Sequence, residues 1–144
     1  MVGKIMGTTA SDKAEIRDTG TSKGKGVFAT RFISEGETIE VCKVILVSYG
    51  LLSNEAKNRA FNWAGLTGDP EGKACLAQGW GGMYNHANPA NTRYVAKPEK
   101  MTLEFTAARD IQEGEEITIN YEPAYGDIHS TEESWFKDRG IDPI

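Results

Sequence analysis

The sequence predicts a mainly β fold with short helices, and three observations support that class. Apolar and polar residues alternate over 102–107 and again over 117–121, a period of two that is typical of half-buried strands. The best helix candidate is short, over 53–64, with a suitable composition and capping residue. A strand–turn–strand pattern also occurs twice, which favours short antiparallel strands over a parallel α/β sheet.

The repeated pattern links residues 29–39 (the first copy) with residues 107–117 (the second copy). The two segments are offset by 78 residues, and seven of their eleven positions are identical: Ala, Arg, Ile, Glu, Gly, Glu and Ile. The simplest interpretation is one turn device used twice in a β-rich domain. Each copy is therefore predicted to form a strand, a turn and a second strand.

The first half of the chain is predicted to contain three strands, at 27–30, 39–46 and 74–78. A polar, glycine-rich segment precedes the first strand. In the second strand the apolar alternation changes phase at Val41 and Cys42, which predicts a bulge or a bend there. Between the second and third strands, Ser53 is a suitable N-cap for a helix over 53–64.

The second half is predicted to contain three further strands, at 92–96, 102–107 and 117–121. A Lys-Pro-Glu-Lys turn separates the first two, and a Glu-Gly turn precedes the third. The tail carries a possible short helix around 131–137, which includes Trp135 and Phe136.

Length and net charge limit the classes of protein to which this chain can belong. A chain of 144 residues is large enough for one domain, which we take to span 1–144 with a core over about 16–126 and a tail over 127–144. The formal net charge of −5 argues against a generic nucleic-acid binder, because such proteins are basic. An acidic surface instead fits a cationic partner.

Cysteine and histidine are too scarce and too widely spaced for a metal site or a disulfide framework, so no metal is predicted. The first ten residues lack the apolar run of a signal peptide. No segment approaches the roughly 20 apolar residues that cross a membrane. We therefore expect a soluble, cytoplasmic protein without a membrane partner; the oligomeric state is not indicated.

The loop over 79–91 (the central loop) is the least regular stretch. Its three glycines and one proline exclude a regular helix or a long strand. Its three asparagines and one histidine supply donors and acceptors with which a compact loop can bind a polar ligand. The simpler interpretation is a turn-rich crossing between strands.

A second glycine-rich site lies just before the strand at 27–30. The backbone N–H groups around Gly24 and Gly26 are placed where a turn can face an anion. The order differs from a dinucleotide-binding fingerprint, which follows a strand and opens a helix. A plain β-turn is the simpler interpretation of this pair.

Three segments occur in an order that resembles the SET-domain protein lysine methyltransferases. They are KGKGVFA over 23–29, YNHANPAN over 84–91 and GEEITINY over 114–121. The resemblance covers most of the chain, from about 23 to 121. The small size of the chain is similar to that of minimal single-domain bacterial, archaeal or viral members of the family. The combination of all three segments is more specific than any one of them.

That resemblance implies a β-clip-like fold of small sheets with a pseudoknot-like crossing near the C-terminus. It also implies S-adenosylmethionine as the cofactor and a narrow channel that joins the cofactor to a protein substrate. The implied reaction is methyl transfer to the side-chain amine of a lysine in a basic DNA-associated or ribosomal-type protein, without direct nucleic-acid binding. A host nucleus is the expected location if the protein is a secreted effector or viral.

The cofactor-binding residues that the resemblance implies are Lys23, Gly24, Lys25, Asn85, His86 and Trp135. Backbone N–H groups and a cation around Gly24 suit the cofactor carboxylate. Asn85 and His86 match the positions that hold the ammonium and the adenine, with His86 acting mostly through its backbone. The alternatives are a buried His86 that braces the loop and a Trp135 (or Phe136) that only packs the tail.

Tyr121 matches the catalytic tyrosine of the family, and Tyr84 and Ile119 match positions along the substrate channel. The alternative for Tyr121 is a core aromatic residue. The family often has an aromatic residue where this chain has Ile119, so the number of methyl groups transferred stays open. The loop also departs from the family pattern, because Pro89 comes one position early.

A non-catalytic binding module is the competing hypothesis. Small β-clip folds built from repeated strand–turn–strand units also serve as ligand-binding or structural domains, and an inactive SET-like chain would belong with them. The presence of the Asn85-His86 pair together with Tyr121 favours the enzyme.

Overall fold

The computed structural model describes residues 12–122, 125–131 and 135, and within them the chain forms eight strands. The strands are β1 (Ala14–Asp18), β2 (Lys25–Ala29), β3 (Thr38–Val47), β4 (Ala74–Ala77), β5 (Asn85–His86), β6 (Thr92–Lys97), β7 (Thr102–Ala107) and β8 (Glu116–Ile119). The two short α-helices are α1 (Asn54–Lys57) and α2 (Trp63–Thr67). Single 3-10 turns occur at Tyr49–Leu51 and Gly81–Met83. The predicted class, mainly β with short helices, is confirmed.

The strands form two four-stranded sheets. One has the order β1-β2-β8-β5 and the other the order β4-β3-β7-β6. All pairs are antiparallel except β5 with β8, which run parallel. A parallel neighbour brings the central loop alongside the last strand, and this is the pairing that positions the site.

The core lies between the sheets and is built from the inward positions of the alternating strands. Its fully buried aliphatic members include Val27, Ile33, Ile39, Leu103, Ile111, Ile117 and Ile119. An aromatic cluster completes it, with Phe61 packed edge-on against Tyr94 at 5.1 Å and Tyr84 stacked on Phe105 at 4.7 Å between ring centroids. Such geometries add to the stabilisation that burial itself provides.

The single helix predicted over 53–64 is wrong. Ser53 does cap a helix, with its hydroxyl accepting a first-turn N–H at 3.2 Å, but that helix ends after four residues. Phe61 and Cys75 then exchange two backbone hydrogen bonds of 2.9 Å, so Phe61 is extended rather than helical. Asn62 caps the second helix through a 3.0 Å bond to a backbone N–H. Tertiary pairing therefore overrides a weak helical preference.

Strand β1 is not predicted by the sequence pattern. It pairs with β2 along five positions, from Ala14 opposite Ala29 to Asp18 opposite Lys25. Its residues are mostly polar because it is an edge strand with solvent on one face. The turn that joins it to β2 contains Gly24 at φ +76°, so the interpretation of this glycine as a turn residue is confirmed.

The bulge predicted at Val41 and Cys42 lies elsewhere. The register of β3 against β7 shifts between Thr38 and Glu40. Ile39 and Glu40 are consecutive and both fully buried, which is what a bulge permits. A pattern that counts only apolar residues places the change of phase too late, because it treats a glutamate as solvent-facing.

The two copies of the repeat pair with each other. Ile33 and Ile111 exchange backbone hydrogen bonds of 2.9 and 2.8 Å. The N–H groups of Gly36 and Gly114 each donate to the first alanine of the opposite copy, both at 2.8 Å. Both glycines have φ +85°, a conformation that disfavours a side chain.

The chain after β8 returns to the end of the central loop, in agreement with the crossing that the resemblance implies. The N–H of Ala90 donates to Ile128 at 2.9 Å, and the side chain of Asn88 donates to the carbonyl of Ser130 at 2.9 Å. Of the predicted tail helix, Trp135 is described as helical, while Phe136 lies outside the described residues. Among the residues with described placement, no helix is long and apolar enough to span a membrane.

Candidate active site

The site is built where β5 and β8 run side by side. Asn85 lies opposite Thr118 and His86 opposite Ile119, so the loop residues and the strand that leads to Tyr121 are neighbours. Tyr121 follows β8 by two residues. The parallel pairing thereby brings together two of the three segments on which the family resemblance rests.

Tyr121 is held at both its backbone and its side chain. Its hydroxyl donates to the carbonyl oxygen of Tyr84 at 2.6 Å, and its backbone N–H donates to Nδ1 of His86 at 3.0 Å. Burial raises the pKa of Tyr121 to about 12, although the Arg59 charge lowers it. The phenol therefore remains a hydrogen-bond donor throughout the physiological pH range.

His86 braces the loop through its side chain and also offers its backbone carbonyl. The side chain is only 7% exposed, and burial, with a further contribution from Lys23, lowers its pKa to about 4. The ring is thus neutral at pH 7 and can accept the Tyr121 N–H. The Lys23 ammonium donates to the His86 carbonyl at 3.2 Å. These contacts agree with the alternative of a buried histidine that braces the loop, and the backbone carbonyl of His86 is engaged by Lys23 as well.

The remaining motif segment, residues 23–29, meets Asn85 and His86 through backbone and amide contacts, and we call this meeting point the corner. Nδ2 of Asn85 donates to the carbonyl of Lys25 at 3.0 Å and to Oε2 of Glu116 at 2.7 Å. A Cβ at Gly26 would lie 2.4 Å from that carboxylate oxygen and 2.7 Å from the Asn85 nitrogen, so a larger residue here would displace the Glu116 and Asn85 side chains from their contact. Lys25 is exposed and reaches the corner through its carbonyl.

Trp135 lies against the candidate catalytic tyrosine. Its ring centroid is 4.7 Å from that of Tyr121, and its backbone N–H donates to Oε1 of Glu122 at 2.9 Å. Glu122 is 2% exposed, and its carboxylate anchors this point of the tail beside β8. The structure thus places Trp135 at Tyr121.

A cavity of about 510 Å³ opens beside these residues. All five tyrosines of the chain line it, together with Phe61, Ile119, Trp135 and the cations Arg59 and Lys73. Tyr84 and Ile119, predicted for the substrate channel, are both on its wall. Arg59 is held there by a 3.1 Å bond to the carbonyl of Gly82. The cavity wall is therefore rich in aromatic rings and carries two cations, with Glu122 as its one acidic residue among those the structure describes.

Several residues of the site are not predicted from the sequence. Glu116 is the first residue of β8 and Glu122 follows that strand, Arg59 comes from the segment between the helices, and Glu40 reaches the central loop from β3. The apolar alternation around Glu40 predicts a solvent-facing glutamate, so no signal in the sequence indicates its buried role. Within the described ranges, no three His, Cys, Asp or Glu side chains are grouped as a metal site.

Known proteins resemble this chain in sequence and in fold. A family model described as the SET domain matches residues 24–122. A Schizosaccharomyces pombe protein, named histone-lysine N-methyltransferase, H3 lysine-37 specific, is 31% identical over 112 residues, which are 74% of this chain and 71% of that protein. The chain therefore belongs to the SET-domain family, and its class is protein-lysine N-methyltransferase.

Solved structures agree on the fold. A Plasmodium falciparum protein described as a histone methyltransferase superposes with a TM-score of 0.60 at 22% identity, over 76% of this chain and 92% of that one. An active polycomb repressive complex 2 in the basal state gives 0.61 at 25% identity, over 76% of this chain and 15% of the matched chain. The autoinhibited ctPRC2 complex bound to S-adenosylmethionine gives 0.60 at 23% identity, over 81% and 16%.

Proposed function

We propose that this protein transfers a methyl group from S-adenosylmethionine to the side-chain amine of a lysine in a basic DNA-associated or ribosomal-type protein. One observation carries the proposal. The Tyr121 hydroxyl and the Tyr84 carbonyl meet on the wall of an aromatic cavity, and His86 links them to the corner that contains Lys23 and Asn85.

The corner fits the amino-acid end of the cofactor. A carboxylate needs a cation and N–H donors, and the Lys23 ammonium lies there beside the open turn at Gly24, where a Cβ would meet nothing within 4 Å. An ammonium group needs acceptors, and the Glu116 carboxylate sits next to Asn85. When bound, S-adenosylmethionine supplies an electrophilic methyl group on a sulfonium. Trp135 lines the cavity with its ring 4.7 Å from that of Tyr121, and we assign it to the adenine side of the cofactor.

The cavity suits a lysine side chain. Aromatic faces attract an ammonium group and pack the aliphatic stem of a lysine. The reacting amine must be neutral, whereas a free lysine has a pKa of about 10.4. Burial and the nearby Arg59 charge both favour the neutral form. The Tyr121 hydroxyl and the Tyr84 carbonyl then orient the amine, and such positioning is the main contribution required of the protein.

The net charge of −5 supports a basic protein partner, because an acidic surface steers cationic proteins towards it. The named activity of the fission-yeast relative, on a histone lysine, agrees with a substrate of that chemistry.

The test is methyl transfer from radiolabelled S-adenosylmethionine to a mixture of basic proteins, with wild type and Tyr121→Phe. Wild type should label a lysine-containing protein, and the same protein with its lysines acetylated beforehand should take up no label. Tyr121→Phe should lower transfer by about 100-fold or more, because a misplaced amine costs that much. Calorimetry should give the same cofactor affinity for both proteins.

Unchanged transfer by Tyr121→Phe would overturn the catalytic assignment. No label together with no thermal stabilisation by S-adenosylmethionine would support the binding-module hypothesis, since a ligand specific for the native state must stabilise it.

A further inference from the structure

One buried ionisable group has no part in the mechanism above. Glu40 lies on β3, in the sheet that does not contain β8, and its exposed fraction is 0%. A buried carboxylate is costly unless several donors bind it. Its position therefore requires donors; the Cys42 side chain on the same strand is one, and two more come from the central loop.

Glu40 fastens the loop just before the site. Its Oε1 accepts the Tyr84 hydroxyl at 2.6 Å, and its Oε2 accepts the backbone N–H of Trp80 at 2.8 Å. Gly79 has φ +73°, and a Cβ there would lie 2.3 Å from Oε2. The loop thus passes so close to the carboxylate that only glycine fits at this point.

Tyr84 connects Glu40 to Tyr121, because it is hydrogen-bonded to both residues. Its phenol end is bound by Glu40, and its ring is stacked on Phe105 at 4.7 Å with an interplanar angle of 26°. At the other end of the same residue, the backbone carbonyl accepts the Tyr121 hydroxyl at 2.6 Å. Burial and the Glu40 charge raise the pKa of Tyr84 well above its usual range, so its phenol stays a donor. The residue is fixed at both ends.

We propose that Glu40 is a positioning residue for methyl transfer, acting through Tyr84 on the Tyr121 hydroxyl. The proposal rests on the proposed function, in which Tyr121 orients the reacting amine. Glu40 is fully buried and is not among the residues that line the cavity, so it would act through Tyr84 and not by direct contact. Its contribution is to hold the Tyr84 carbonyl at the place where the Tyr121 hydroxyl bonds to it.

A purely structural role predicts something different. If Glu40 only supports the fold, its loss changes the folded fraction, and turnover per folded molecule stays the same. A positioning role lowers the rate of transfer by correctly folded protein, because small misplacements at a reacting centre have large effects on rate. The two roles are separable by measuring kcat and stability on the same variants.

The experiment combines Glu40→Gln, Tyr84→Phe and Tyr121→Phe, singly and as the Tyr84→Phe/Tyr121→Phe double variant. Glutamine keeps the shape of Glu40 but replaces one of its two acceptor oxygens with an N–H donor. Glu40→Gln and Tyr84→Phe should each lower kcat by about tenfold or more, while KM for the protein substrate and cofactor affinity stay within about twofold. Single-turnover labelling with enzyme in excess keeps slow variants measurable.

The double variant gives the decisive comparison. If Tyr84 acts through the Tyr121 hydroxyl, removing its own hydroxyl should have no further effect once Tyr121 is phenylalanine. Multiplied effects would overturn the proposal. A second readout is the ¹³Cζ NMR signal of Tyr121, assigned with Tyr121→Phe, which should move in Glu40→Gln; an unmoved signal would also overturn it.

Ile33→Val serves as the matched control for stability. Ile33 is fully buried in the bridge between the two repeat copies and takes no part in the site. This variant loses core packing, so turnover per folded molecule should stay at the wild-type value. If Tyr121→Phe retains transfer, the proposed function is at fault. If Tyr121→Phe loses transfer while Glu40→Gln and Tyr84→Phe retain it, only the role of Glu40 is wrong.

Discussion

The two copies of the repeat form the same turn and then diverge. Each copy binds the arginine near its start to its second glutamate, Arg31 to Glu37 in the first and Arg109 to Glu115 in the second. In each, that glutamate also accepts a backbone N–H three residues before it, at 3.1 and 3.0 Å. Identical local residues thus produce identical local contacts, even though the first copy runs from β2 into β3 and the second from β7 into β8, so that they cross between the two sheets in opposite directions.

The strands that leave the two copies differ in how fully they are paired. Strand β3 leaves the first copy and finds full strands on both sides, with five pairs to β7 and four to β4. Strand β8 leaves the second copy with two pairs to β2 and two to β5. The missing ladder contacts come from a side chain: Asn91 donates to the carbonyl of Glu116 at 2.8 Å and accepts the N–H of Thr118 at 2.9 Å.

The same repeat offset relates two residues that hold the central loop. Glu40 and Thr118 are 78 positions apart, and both are buried. Glu40 accepts the Trp80 N–H, and the Thr118 hydroxyl accepts the N–H of Asn91 at 3.2 Å. The copies therefore hold opposite ends of one loop. The two copies and the strands that follow them form a framework, and the central loop held between those strands contributes the residues of the site.

The largest expected effect comes from Asn91→Ala, which removes the side chain that completes β8. It leaves a buried carbonyl and a buried N–H without partners, and we expect a loss of about 2 to 5 kcal/mol in the free energy of unfolding. Urea denaturation measures it. The matched control is Asn88→Ala, an exposed asparagine of the same loop, which should lose less than about 1 kcal/mol. Similar losses would mean that the side chain does not replace a strand.

The second effect depends on pH and concerns His86, the residue of the central loop that accepts the N–H of Tyr121 just after β8. The pKa of His86 falls from 6.5 to about 4 on folding because the ring is buried, so the folded protein favours the neutral ring that accepts the Tyr121 N–H. The resulting stability is fully present above pH 6.5 and is lost as the pH falls towards 4, by up to about 3 kcal/mol. Urea denaturation at pH 7.5 and 4.5 should show this fall in wild type and a smaller one in His86→Gln. An equal fall in both would exclude His86 as its source.

The smallest expected effect is a difference in stability between variants of Glu37 in the first copy and of Glu115, the equivalent residue in the second copy. Burial raises the pKa of Glu37, but Arg31, a backbone N–H and Lys13 together lower it to about 2, and Lys13 has no counterpart at Glu115 among the described contacts. Glu37→Gln should cost about 1 kcal/mol at pH 7 and Glu115→Gln about half of that. The Glu37 contribution is present above pH 4.5 and disappears as the pH falls towards 2. Equal losses in urea at pH 7 would show that Lys13 adds nothing.

Much of the framework is predictable from the sequence. The period-two alternation identified β7 and β8, and the repeated Glu-Gly-Glu identified both turns. These features are local, because strand pleating and turn geometry depend on neighbouring residues. The same holds for Ser53 as a helix cap, although the length of its helix was set by the pairing of Phe61 with Cys75.

The three motif segments determined by themselves which family this protein belongs to and which residues to examine first. Only the tertiary structure decided that Glu40 faces inward, that Asn91 completes a strand and that Trp135 lies on Tyr121. Each of these depends on groups 13 to 44 positions away in sequence. The physical reason is that a buried polar group takes its position from its hydrogen-bond partners. Patterns among neighbouring residues do not reveal partners that are far apart in sequence and meet only in the folded protein.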